Sequence, residues 1–286
     1  MTTTNCSVLD QLKANGRRVS LGTLVAALLL ATPAYAETPA RVAGAYDITF
    51  NGVSLGNLRI TTELADNRYQ TAATAKFSAL FGALKWSGRL EGRGAVTSLG
   101  PSPTQYAHAF ESERNMVVRN RKSSQEVRLG FRDGAVVDRF TEPKLKTQNR
   151  VPITPAHLRD VLDPTAAVVA ITQVGAGQSP CDRDIPVFNG RTRFDLIFKP
   201  KSRDGRLHTC SVHYRPVAGH RIDDGENNDL ASRLDIFVVL EMVDGLEIAV
   251  PREISVPMSA GTVRIAASSL EIVTSRQRRI ALAAAR

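Results

Sequence analysis

Residue types able to do chemistry gather in two stretches, "SPCDRDIPVFNG" and "LHTCSVHYRPVAGH", which carry Cys181, His208, Cys210, His213 and His220. Thiolate and imidazole are ligands that zinc accepts in tetrahedral sites. The spacing opposes such a site: on a strand His208 and Cys210 share a face, whereas His213 has the opposite parity and points away. There is also no close Cys-x-x-Cys pair. A cysteine nucleophile needs a neighbouring base and surroundings that lower its pKa. His208 or His213 could act as that base, but no catalytic signature surrounds either cysteine. A disulfide between Cys181 and Cys210 needs only an oxidising compartment. It would close a loop of about 30 residues, worth roughly 3–4 kcal/mol in the chain-entropy picture. We expect a structural bridge, with the metal and nucleophile readings behind it.

The compartment is written at the N-terminus. Lys13, Arg17 and Arg18 make a basic start, "LGTLVAALLLA" an apolar centre, and "TPAYA" ends in small residues. That is the order of a secretory signal peptide, with cleavage expected between Ala36 and Glu37. As a membrane anchor it is short, with an apolar heart of about 11 residues where a spanning helix needs about 20. Ser20 sits where a twin-arginine signal usually carries an apolar residue, and Glu37 rather than a cysteine follows the cleavage point, so no lipid anchor is expected. Cleavage removes Cys6 and leaves an even pair of cysteines. The expected location is the bacterial periplasm.

The formal charge is +9, and the first 36 residues hold Lys13, Arg17 and Arg18 against Asp10, so +7 stays on the remainder. The excess is mostly arginine, in residues 113–132 and in the tail "SRQRRIALAAAR". Outside the cytoplasm the abundant polyanions are lipid headgroups and envelope polymers rather than nucleic acid. Arg114, Arg119, Arg121 and Lys122 are the candidate contacts with an anionic membrane surface; solvated strand faces are the plainer account of the same residues.

Other constellations are weaker. No G-x-S-x-G elbow, phosphate loop or H-E-x-x-H motif is present. "GRLEGRG" reads as a strand with a bulge or a close backbone approach. His157 and Asp160, three apart on an expected helix, could pair as a base and its orienter but read better as exposed decoration. Asp223, Asp224 and Glu226 miss the calcium-loop spacing and read as a polar turn. No catalytic, cofactor-binding or metal-ligating residue is therefore assigned, and no cofactor is expected. "FSALFGALKW" is greasier than a turn should be. It is either plain core or a flap whose Phe77, Phe81, Leu84 and Trp86 rim the mouth of an apolar groove.

These residues sit in a chain that reads as mainly β. About 250 residues follow the signal, enough for one large β domain, expected over 37–275 with a free basic tail at 276–286. The apolar fraction of 43% supports a packed core. "AYDITF" alternates, and Asn51-Gly52, Asp66-Asn67 and Asp133-Gly134 are turn signals between alternating runs. The pattern breaks at about 154–174, where Thr154-Pro155 and Asp163-Pro164 both look like helix starts, predicting two short helices with a kink between them.

Several segments together resemble the DUF3108 family of exported bacterial proteins. They are "YDITFNGVSLGNLRI", with Tyr46, Gly52 and Gly56 at the familiar places, then "TPAHLRDVLDPTAAVVAI", "CDRDIPVFNGRTRFDLIF", "CSVHYRPVAGHR" and "VPREISVPMSAGTVRI". The resemblance covers about residues 44–273 and includes the cysteine pair. It implies a β-rich envelope domain similar to half-barrel lipoprotein carriers, in which a curved antiparallel sheet wraps helices or a lipid-sized groove. It brings no catalytic residues. The expected function is non-enzymatic binding of a lipid or other apolar or amphipathic envelope molecule in the hollow of the sheet; the alternative is an envelope assembly protein without a ligand cavity, and an enzyme of unfamiliar type comes third.

Overall fold

The computed structural model describes residues 37–79, 82–116, 119–175, 178–223 and 236–285. The expected signal segment and Phe81 lie outside the described residues, as do Asp224 and Glu226 of the expected acidic turn. The first half of the chain is a run of hairpins: β1 (Pro39–Phe50), β2 (Val53–Ala65), β3 (Arg68–Ala79), β4 (Leu84–Thr97), β5 (Gly100–Met116), β6 (Arg119–Arg132) and β7 (Ala135–Glu142). Asn51 and Gly52, Asp66 and Asn67, and Asp133 and Gly134 all have positive φ, as two-residue turns that follow the strand twist require. Along β3 burial alternates strictly, with Tyr69, Thr71 and Ala73 inward. The second half is another antiparallel run: β8 (Arg183–Phe188), β9 (Arg193–Asp204), β10 (Leu207–Ala218), β11 (Ile236–Met242), β12 (Ala249–Met258) and β13 (Gly261–Thr274). β13 pairs with β1 and joins the halves into one sheet, whose order runs from β7 through β1 and β13 to β8.

The expected two-helix insert holds one α-helix. Pro155–Leu158 is a single 3-10 turn, and α1 spans Pro164–Thr172. Both starts carry a proline, but only the second has a side-chain cap. The Asp163 carboxylate accepts from the Thr165 and Ala166 amides at 2.8 and 3.1 Å, satisfying donors at the helix start.

α1 shows that the sheet is curled. Nine residues make a helix about 14 Å long, yet α1 packs on β3, β4 and β5 and also on β8 and β12. β5 and β8 lie ten places apart in the sheet order, about 48 Å in a flat sheet. The sheet must therefore wrap the helix. It does not close on itself, because β7 and β8 are its two ends.

The residues before α1 lace those ends together. The Asp160 amide donates to the Gly134 carbonyl (2.8 Å), the Leu162 amide to the Pro186 carbonyl (2.8 Å), and the Phe188 amide back to the Leu162 carbonyl (2.8 Å). This backbone supplies partners to edge groups that would otherwise stay open. It also explains the missing helix: the main chain from Arg159 to Leu162 is engaged by the two edges.

The tail expected to be free forms β14 (Arg279–Leu282), paired with β13. Ile280 and Leu282 join the cluster around Leu270 and Ile272, and Arg278 pairs with Glu37 at 2.8 Å.

Candidate functional site

The inner face leaves one large hollow beside α1, of about 1270 Å³. Its walls come from alternate positions of β1 and β2 (Val42, Ile60, Leu64), from Val169 of α1, and from Ile248 and Leu270 of the second half. Period-two alternation puts these side chains on one face, and the 3.6-residue period puts Val169 opposite them. The rim is polar, with Asp66, Asn67 and Arg68 in the β2–β3 turn and Asp182, Arg183 and Asp184 at the start of β8. One glycine shapes the wall: a Cβ on Gly44 would lie 2.6 Å from the Tyr46 ring. Tyr46 is buried and donates to the Pro251 carbonyl (3.0 Å); burial holds its phenol well above the ordinary range. Arg183 closes the far end of α1, donating to the carbonyls of Ala170 (2.6 Å) and Gln173 (2.8 Å). A cation there also complements the negative end of the helix.

Beneath the start of α1 lies a buried polar cluster that sequence reasoning missed. A Cβ on Gly92 would sit 1.8 Å from the Thr165 hydroxyl oxygen, so "GRLEGRG" is where the helix start rests on β4, with a register shift at Arg93/Gly94. Among the described residues the buried Asp163 Oδ2 and Tyr69 hydroxyl have no hydrogen-bond partner. Burial pushes the Asp163 carboxyl up, against its hydrogen bonds. Tyr69 and Tyr106 are raised mainly by burial, then by the nearby Asp163 charge. His108 bridges Tyr106 and Gln125 at 2.9 Å on each side. With the Gln125 amide nitrogen donating to Nε2, the ring proton sits on Nδ1 and is donated to the Tyr106 hydroxyl. Burial, then the positive charge of Arg191, lower the His108 pKa to about 4. The imidazole is therefore neutral near pH 7 with both nitrogens engaged. The available signal was "YAH", two polar rings two residues apart on an inward strand face.

The aromatic set lies elsewhere on the inner face. Phe77 and Trp86 oppose each other across β3 and β4, and Trp86 contacts Phe110 (4.9 Å), which stacks on His108 (4.4 Å). A Cβ on Gly88 would lie 2.3 Å from the Phe110 ring, so this glycine admits the stack. Phe77 and Trp86 line a second hollow of about 790 Å³, with Ser112 and Ser123, and do not line the larger one. Leu84 faces Ala79 across the strands and lines neither.

Cys181 and Cys210 are joined, with a Cα–Cα distance of 5.2 Å. Both sulfurs are spent in the bridge, inside a core with Val187, Phe198 and Val238. Among the described residues no group of three or more His, Cys, Asp or Glu is placed to hold a metal ion. His157 takes the Thr154 amide on Nδ1 (3.2 Å), and Asp160 lies beyond the 3-10 turn at positive φ, so the two share no helix. Of the basic set, Arg114 and Arg121 face each other across β5 and β6, both exposed. Lys122 pairs with Glu113 at 3.5 Å; Arg119 pairs with Met116 at the end of the ladder. Glu37, the residue expected after the cleavage point, accepts from Thr274 and Arg278.

An antiparallel, inwardly hollow β domain stapled by one disulfide is the class of molecule these observations define. The family described as "Protein of unknown function (DUF3108)" matches residues 45–221, and the chain belongs to that family. No curated protein matches it significantly. Among solved structures it is similar to a β-barrel-like protein of domain of unknown function DUF1849 from Brucella abortus. Identity there is 11% and the TM-score 0.46, over 83% of this chain and 99% of that one.

Proposed function

We propose that this protein is an exported, non-enzymatic binding protein of the bacterial envelope, holding an apolar or amphipathic molecule in the hollow beside α1. The observation that carries this reading is the hollow itself. Binding pockets ordinarily measure about 300–1,000 Å³, so 1270 Å³ with apolar walls and a polar rim suits a lipid-sized molecule with a polar end. Val161 and Val169 are buried in the core, yet α1 leaves this space unfilled. The basic, apolar and small-residue order at the N-terminus supports export to the periplasm. The exposed Arg114–Arg121 pair supports transient contact with an anionic membrane.

The test is native mass spectrometry on protein purified without detergent from cells expressing the full chain, joined to titration with the apolar dye 1-anilinonaphthalene-8-sulfonate. A bound species of lipid mass is expected. Val42→Trp, which fills the hollow from β1, should weaken dye binding at least tenfold while the protein stays folded. A clean unliganded mass together with unchanged dye binding in Val42→Trp would refute the reading and favour a protein-assembly role.

A further inference from the structure

Where the two ends of the sheet are laced, three arginines from separate segments come together. Arg139 is on β7, Arg150 follows it in the connection to the 3-10 turn, and Arg191 is in the β8–β9 turn. Arg191 Nη2 donates to the Pro143 carbonyl (2.6 Å), which anchors its guanidinium just past the end of β7. Arg150 Nη1 donates to the Gly219 carbonyl (2.6 Å). Gly219 lies against the Arg191 backbone so closely that an added Cβ would be 2.2 Å from the Arg191 oxygen. The Arg139 guanidinium stands 5.7 Å from the centre of the Phe188 ring, three residues before Arg191 in the chain.

These cations are poorly satisfied by the protein. A guanidinium has five N–H donors. Among the described residues Arg150 and Arg191 use one side-chain hydrogen bond each, Arg139 has its ring contact alone, and none of the three has a carboxylate within ion-pair distance. Arg191 Nε is buried with no hydrogen-bond partner among the described residues. Several other partly buried arginines find carboxylates: Arg193 and Arg215 share Asp195, Arg252 meets Glu241 and Arg264 meets Glu253, whereas Arg183 is spent on the carbonyls at the end of α1. Around Arg191 the positive charges of Arg150 and Arg139 act against it and the Glu142 carboxylate acts for it, so the group carries more guanidinium than carboxylate.

We propose that Arg139, Arg150 and Arg191 form a binding site for a phosphate-type oxyanion at the seam between β7 and β8. Guanidinium groups recognise such oxygens by paired N–H donors, and an anion would offset their mutual repulsion. None of the three residues lines the large hollow, so this site stands or falls independently of that reading. Because the triad bridges β7, its following connection and the β8–β9 turn, an anion bound there also holds the seam closed.

Equilibrium dialysis with labelled inorganic phosphate, run in chloride at matched ionic strength, gives the direct test. One saturable site is expected, with phosphate raising the melting temperature. Arg139→Gln should weaken binding at least tenfold, and Arg114→Gln on the distant β5–β6 hairpin should not. The Arg139 side chain makes no hydrogen bond among the described residues, so its variant carries the test even where Arg191→Gln fails to fold. Flotation with phosphatidylcholine vesicles, with and without phosphatidylglycerol, separates the sources. Association only with the anionic vesicles, competed by inorganic phosphate and lost in Arg139→Gln, identifies a lipid headgroup. Phosphate binding without vesicle association identifies a free phosphate compound. Absence of both, or binding equal in Arg139→Gln and the native protein, overturns the proposal.

Discussion

Gly92→Ala tests the seating of α1 on β4 at one atom. The added Cβ would lie 1.8 Å from the Thr165 hydroxyl oxygen and 3.2 Å from Asp163 Oδ1, where ordinary contact needs roughly twice the first distance. Little there can yield. Thr165 is buried and β-branched, and its hydroxyl is already donated to Asp163. Overpacking of this kind costs about 1–3 kcal/mol. If the helix start lifts to relieve it, the Asp163 cap adds about 1 kcal/mol more. We expect Gly92→Ala to lose about 2–4 kcal/mol in urea unfolding followed through Trp86, the single tryptophan.

The decisive comparison is with Thr165→Ala. Alone it removes a buried hydrogen bond to a carboxylate, at about 1–3 kcal/mol. In the Gly92→Ala background it also removes the clashing oxygen, leaving the milder contacts with the Thr165 Cβ at 3.0 Å and Asp163 Oδ1 at 3.2 Å. The double variant should therefore be more stable than the two losses added together, by at least about 1 kcal/mol. Losses that add to within about 0.5 kcal/mol, or a Gly92→Ala protein as stable as the native one, would refute the claim that this glycine exists to admit the helix.

The disulfide joins residues 29 apart, so replacing Cys181 and Cys210 together by alanine should cost about 3–4 kcal/mol. Equal urea midpoints for native and double variant would sink that estimate. His108 gives a pH signature. Its folded pKa, about 4, lies below the ordinary histidine value. The stability it contributes is thus present above about pH 6.5 and lost as pH falls toward the folded pKa. The stability gap between native protein and His108→Gln should narrow over that window, and a gap independent of pH would count against the buried neutral imidazole.

Much of this was legible wherever the cause is local. Asn51-Gly52, Asp66-Asn67 and Asp133-Gly134 announce their hairpins because the turn geometry demands residues that tolerate positive φ. "GRLEGRG" could be read as a close approach because three glycines in a strand must serve backbone proximity, though what approaches Gly92 was hidden. The insert shows the limit of local reading. Thr154-Pro155 and Asp163-Pro164 carry the same start signal, and what ends the first after one turn is the demand of two distant strand edges for the backbone of Arg159–Leu162. The tail misled for a related reason: Arg276, Arg278 and Arg279 dominate its appearance, while the alternation of Ile280 and Leu282 finds its partner surface only once β13 is in place.

The seam concentrates what local reading could not supply. Arg139, Arg150 and Arg191 are spread over about 50 residues of chain, each unremarkable beside its neighbours, in a sequence with 37 basic residues. They become a group only because β7 and β8 end the sheet and the insert draws those ends together. Closure by a ladder would have left no gap for side chains to occupy; closure by a few backbone bonds leaves room for guanidinium groups that repel one another. Like charges gathered at the weakest join of a fold destabilise it, and an anion that neutralises them stabilises the closed form by linkage. The same geometry that makes the join weak would make it responsive to an anion, independently of the hollow beside α1.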